Sequence, residues 1–130
     1  MASGFTLDWY NGWSPEQRLA TLPVQRDAIG SGALQRPARC SICSFDPKEH
    51  PGTSNCVWLH DEDYADPLAA YAVCRRCHRA LHERFEDPLL WLALVERHGT
   101  GGQWFELLTM DPASKHRPFT QTYPNGLPLP

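Results

Sequence analysis

Apolar and polar positions alternate with a helical spacing toward both flanks of this chain and with a strand-like spacing in its middle. Ser14-Pro15-Glu16-Gln17 opens the first helix. Ser14 suits the cap, Pro15 the first turn, and Gln17 stands three residues after the cap. Leu19, Leu22 and Ile29 give a partial apolar stripe. Pro23 has no N–H to donate, so the pattern predicts two pieces, near 15–21 and 23–29, stopped by Gly30 and Gly32. Trp9, Tyr10 and Trp13 just upstream read as core or docking aromatics.

Residues 44–55 hold Pro47, Pro51 and Gly52 and read as a loop. Val57-Trp58-Leu59-His60 reads as a short strand, and Ala70-Tyr71-Ala72-Val73 as its return. Between them Asp61 to Leu68 forms a turn-rich acidic connection. A helix is expected from Arg75 to about Phe85. The next helix is better marked: Asp87 is a cap candidate, Pro88 sits in the first turn, and Leu89, Leu90, Leu92 and Val95 supply apolar surface. His98 lies in its last turn before Gly99. Trp104 to Leu108 reads as a short packed element. From Asp111 onward, repeated prolines without periodicity predict an extended tail.

Composition sharpens this picture. An apolar content of 42% with 12 prolines implies a modest core stiffened by something other than side-chain packing. The longest apolar run, Leu89 to Val95, is too short to span a bilayer, and the first ten residues lack a basic start and a long apolar stretch. The expected compartment is therefore the cytoplasm, where thiols stay reduced and Cys-x-x-Cys pairs bind metal rather than form disulfides.

Two such pairs are present, Cys40/Cys43 and Cys74/Cys77. A two-residue gap lets both sulfurs converge on one ion, and two pairs complete a closed four-thiolate zinc site. A knuckle, a hairpin and a helix whose first turn carries the second pair make a treble clef. The expected fold is thus small α+β: a zinc-stabilised treble clef with flanking helices and an extended C-terminal tail. Residues 1–36 form a helical extension, 37–86 the clef, 87–110 a helix and packed element, and 111–130 the tail. Cys56 is left over, as a free thiol or small core residue.

Three histidines stand beside the zinc frame. His78 and His82 are four apart on the expected helix and share a face. His60 ends the strand that a treble clef lays beside that face. Three neutral imidazoles would hold a second divalent metal (zinc, nickel or magnesium) and leave a position for water or a phosphate oxygen. The bland alternative is His78 as a neighbour of the zinc and His82 as a surface residue. His50, His98 and His116 receive no role.

The charge is unevenly placed. The formal net charge is −3, and four bound thiolates with one zinc take it to about −5, which is poor for holding a phosphate backbone. Yet Arg75, Arg76, Arg79 and Arg84 face only Glu83 on the expected helix. That basic stretch is either a solvated surface or a nucleic-acid contact for DNA or RNA.

From Cys40 to His82, about 43 residues, the chain resembles the HNH endonuclease family, whose core is a ββα-metal treble clef. The residues that carry the likeness are Cys40-Ser41-Ile42-Cys43, then Leu59-His60-Asp61-Glu62-Asp63-Tyr64-Ala65-Asp66-Pro67-Leu68, then Val73 through His82. It is most similar to small phage and bacterial HNH proteins with a paired Cys-x-x-Cys frame. The resemblance implies His60 as the hairpin ligand and His78 and His82 as the helix ligands. It puts Asp61 at the general-base position, where the family has histidine. Ala69 falls near the asparagine that braces the family's hairpin loop, and Ser44 stands where glycine often follows the first cysteine pair. An ordinary aspartate titrates near 4, an imidazole near 6.5, so Asp61 implies weak or lost catalysis. The resulting expectation is a metal-binding, nucleic-acid-contacting domain descended from an endonuclease. The alternatives are a zinc-stabilised protein-interaction module using its Trp-rich flanks, and an active nuclease with a substituted base.

Overall fold

A computed structural model describes residues 7–130; residues 1–6, part of the expected N-terminal extension, lie outside the described residues. The architecture is mixed helix with one small antiparallel sheet, in the order α1 (Pro15–Ser31), β1 (Val57–His60), β2 (Tyr71–Cys74), α2 (Arg75–Glu83), α3 (Pro88–His98) and α4 (Phe119–Thr122). Short 3-10 turns lie at Pro47–Glu49, Trp104–Leu107 and Pro112–Lys115. No described helix is long and apolar enough to cross a membrane.

The chain enters α1 through a tight reversal. Tyr10 and Trp13 exchange backbone hydrogen bonds of 3.0 and 2.9 Å around Asn11-Gly12, both at positive φ (53° and 82°). This is the residue pair that a two-residue turn of that hand requires. Gly12 has a second reason to lack a side chain: a Cβ there would meet the Arg117 carbonyl oxygen at 2.4 Å.

α1 begins as expected. The Gln17 N–H donates to Ser14 Oγ at 3.2 Å, and the Ser14 N–H donates to Gln17 Oε1 at 2.8 Å. It then runs through Pro23 unbroken to a left-handed Gly32. The two expected pieces are one helix because the bond Pro23 forfeits belongs to the carbonyl of Leu19, on an exposed turn where water can serve it. The buried face is also not the leucine stripe. Thr21, Gln25 and Ala28 point inward while Leu19 and Leu22 stay exposed.

The hairpin pairs Val57 with Cys74, Trp58 with Val73, Leu59 with Ala72 and His60 with Tyr71. β2 passes into α2 without a loop, so Cys74 ends the strand and Cys77 lies in the helix's first turn. α3 starts at Pro88, but Asp87 makes no capping bond, and Leu89, Leu90 and Leu92 remain exposed. Trp91 carries its burial instead. The ring of Trp104 stacks on Tyr71 at 3.9 Å, only 8° from parallel. Val73, Leu81, Trp91 and Phe105 complete the centre of the core.

The tail differs from its expectation. It turns at Pro112–Lys115, forms α4, and buries Phe119 and Tyr123 in the main core. Two aromatics spaced four apart pack one helical turn against Trp13 and the core, which offsets the cost of ordering a proline-rich segment.

Candidate metal centre

Four cysteines and three histidines form two separate ligand groups among the described residues. In each group one candidate ligand atom per residue lies within 4.8 Å of all the others. The first group is Cys40, Cys43, Cys74 and Cys77. Cys40 Sγ accepts the backbone N–H groups of Ile42 (3.4 Å) and Cys43 (3.5 Å), which shapes the knuckle, and Ser44 closes it at φ 66°. The Ser41 N–H donates to the Ala72 carbonyl at 2.7 Å and docks the knuckle on β2. Cys43 and Cys74 sulfurs are 3.7 Å apart. That is the edge of a tetrahedron with metal–sulfur bonds of roughly 2.3 Å. All five cysteines are unbridged, and Cys56 stands apart from the group.

The second group joins the end of β1 to one face of α2. His60 Nδ1 lies 3.2 Å from His78 Nε2, which lies 2.9 Å from His82 Nε2. Tetrahedral metal–nitrogen bonds of about 2.0–2.1 Å put ligand nitrogens roughly 3.3 Å apart, so the spacing fits one ion. Burial holds His78 down to about 3 and His82 well below its ordinary value, so both imidazoles are neutral and offer lone pairs. Nitrogens this close are held either by a ring N–H shared between them or by a cation among their lone pairs.

Glu62 was not singled out from the sequence. It is 1% exposed and accepts a hydrogen bond from His60 Nε2. Tyr10 Oη donates to the same carboxylate at 2.6 Å, and Asn11 Nδ2 donates to its other oxygen at 2.7 Å. Burial works to raise Glu62, but His60, Arg84 and Tyr10 outweigh it and hold the carboxyl below its usual range. The bond to Nε2 turns His60 Nδ1 toward the other two imidazoles. A carboxylate–histidine pair of this kind orients metal ligands generally.

Arg84 corrects an expectation. It is fully buried and does not belong to a nucleic-acid surface. Its Nη1 donates to Tyr10 Oη at 2.8 Å and to the Leu81 carbonyl at 3.0 Å, and its Nε donates to the Thr109 carbonyl at 2.7 Å. It is the buried counter-charge to Glu62. Arg75, Arg76 and Arg79 are exposed as expected. Arg75 and Arg79 line the cleft over the histidines, while Arg76 lies beside the cysteine group.

Asp61 is buried, and both its oxygens accept from Gln25 Nε2 at 2.8 and 2.9 Å. Burial pushes its carboxyl up to about 6, against an offsetting pull from Gln25. The gap in basicity from imidazole is therefore small. What restrains Asp61 is its attachment to α1. Its oxygens are not among the atoms of the histidine group. Ala69 offers no side-chain bond, and the acidic loop is instead braced by Gln25, which also donates to the Pro67 carbonyl at 3.0 Å.

The cleft encloses about 820 Å³ between α1 on one side and β1 with α2 on the other, with the three histidines in its wall. Comparison with protein-family models, curated proteins and solved structures gives no match, so the centre's chemistry is read from its own residues.

Proposed function

We propose that this chain is a zinc-framed, HNH-like treble-clef domain that holds a second divalent ion on His60, His78 and His82 and contacts nucleic acid there, with hydrolysis weak or absent. The observation that carries the reading is the pairing of two ligand clusters on one hairpin–helix unit: a closed set of four thiolates and, beside it, an open set of three imidazoles facing a cleft. Four thiolates saturate zinc and leave no position for substrate, whereas three imidazoles leave one. A divalent ion in the second set supplies charge that polarises a phosphate oxygen and acidifies bound water. The chain's own part is to hold that ion through three side chains, to orient His60 through Glu62, and to present Arg75 and Arg79 at the rim.

Weak hydrolysis follows from Asp61. The group at the base position shares both oxygens with the Gln25 amide and is not free to swing onto a water. General-base assistance is worth about 10²–10⁴-fold in rate. The protein-docking alternative has less support, because of the flanking tryptophans Trp91 and Trp104 are buried in the core, Trp13 is half-buried and Trp9 alone is displayed.

The test is metal-dependent nicking of plasmid by wild type, by Asp61→His, and by Asp61→His combined with His78→Ala. Expected is little cleavage by wild type, a rise with Asp61→His, and its loss with His78→Ala. Robust wild-type cleavage, or Asp61→His cleavage that survives His78→Ala, overturns the reading.

A further inference from the structure

The cleft has a composition that general phosphate contact does not explain. Trp58 sits on β1 two residues before His60, so both side chains leave the same face of the strand. The Trp58 ring lies 6.0 Å from the His78 ring, yet Trp58 is 45% exposed. Trp58 thus packs edge-on against one histidine and leaves nearly half of its surface open in the cleft, beside the other two. Across the cleft, α1 presents Leu19 and Leu22, 51% and 56% exposed. Apolar walls thus flank a floor of imidazoles.

The rim is cationic in an acidic protein. Arg18, Arg75, Arg79 and Lys115 line it against Asp8 and Asp61, although the chain's net charge is −3. Some of these cations have partners: Arg18 donates to Tyr64 Oη and the Asp8 carbonyl, Arg79 pairs with Glu83, and Lys115 lies 3.7 Å from Asp8. Arg75 has none among the described ion pairs and stands at the mouth. A volume near 820 Å³ suits a ligand of nucleotide size rather than a double helix. Bases in a duplex are stacked inside it, and only a base out of the stack can lie on an aromatic ring.

We propose that the cleft takes an unpaired nucleotide of a single-stranded nucleic acid, with its base on Trp58 and its phosphate toward the three histidines. This deepens the nucleic-acid reading above and rests on it. Single strands then bind in preference to duplex of the same length, and with little sequence preference, because every base has a face to stack.

The experiment measures binding of the full zinc-loaded chain to a fluorescent oligothymidylate and to a labelled duplex hairpin of matched length, by anisotropy across a salt series. Expected is single-strand binding at least tenfold tighter than duplex. Trp58→Ala should lose roughly tenfold or more on the single strand with an unchanged salt slope, since stacking releases no counterions. Trp58→Phe should retain most of the affinity. Arg75→Ala should lower the slope of log affinity against log salt by about 0.7. Equal binding of duplex and single strand, or Trp58→Ala and Trp58→Phe both binding like wild type, overturns the single-strand assignment and leaves nucleic-acid contact standing. Binding to neither probe at low salt overturns the nucleic-acid reading itself. The strand comparison uses wild type alone, so it decides the matter even if Trp58→Ala folds poorly.

Discussion

Glu62 and His60, two residues apart in sequence, form a buried hydrogen bond at Nε2, and this bond decides which nitrogen of His60 faces the other imidazoles. The relation is local in sequence but depends on distant groups, because Tyr10 and Asn11 hold the carboxylate in place from more than fifty positions away.

Replacing Glu62 by Gln should weaken the histidine metal site by about 10–100-fold, the usual cost of losing such a partner. The cysteine-bound zinc should be unaffected. Cobalt titration of protein already holding one zinc reads this directly, since imidazole and thiolate sites differ in their visible spectra. Unchanged cobalt affinity would show that His60 needs no orienting carboxylate.

Cys77→Ser should abolish cooperative folding of the hairpin and α2. Structural zinc supplies on the order of 10 kcal/mol of apparent folding free energy, and the sheet that carries the knuckle has only two strands. Metal analysis should give one tightly held zinc in wild type, and a strong chelator should collapse the thermal transition. A sharp, zinc-free melt in chelator contradicts the assignment.

Asp61→Asn should stabilise the protein at neutral pH once the histidine site has been stripped of metal. Asp61 titrates near 6 in the folded chain instead of 3.8, so the folded state binds the extra proton between these values. Stability therefore falls as pH rises through that window, and is fully reduced above about 6. The cost is at most about 3 kcal/mol at pH 7.5, and the gain from Asn should vanish below about pH 4. Melting curves of both proteins from pH 4 to 8 test the sign. A gain that grows as the pH falls would be incompatible with a raised carboxyl.

Arg84→Ala should cost about 3–5 kcal/mol, because it strands the Glu62 carboxylate without its buried counter-charge. Urea unfolding measures it. The double variant with Glu62→Gln should recover part of that loss, and strict additivity of the two would show that the charges are not coupled.

The candidate metal ligands were the legible part of this chain. A Cys-x-x-Cys pair or a histidine pair four apart constrains residue type and spacing together, so both clusters stood out, as did the strands that carry them. The supports under the site were not legible. Tyr10, Glu62, Arg84 and Thr109 meet through bonds spanning up to 74 positions, and no spacing rule connects them. Arg84 shared a basic stretch with three surface arginines and differs from them in standing at the C-cap of α2, in line with the buried Cys77, Ala80 and Leu81. Pro23 misled because the helix-breaking rule counts the lost bond but not whether water can replace it. The tail hid its two anchoring aromatics among prolines, where no period marks them.

The Thr109 carbonyl that receives Arg84, and the Tyr123 hydroxyl that receives the Thr109 N–H at 3.1 Å, are synthesised well after the cysteine frame. The cysteine frame is complete as soon as residue 77 has emerged from the ribosome. The brace beneath Glu62 and His60 waits for nearly fifty residues more. A chain cut short by premature termination or proteolysis before Thr109 would keep its four cysteines while its histidine centre lost its footing. Competence at that centre thus reports that translation has passed Tyr123.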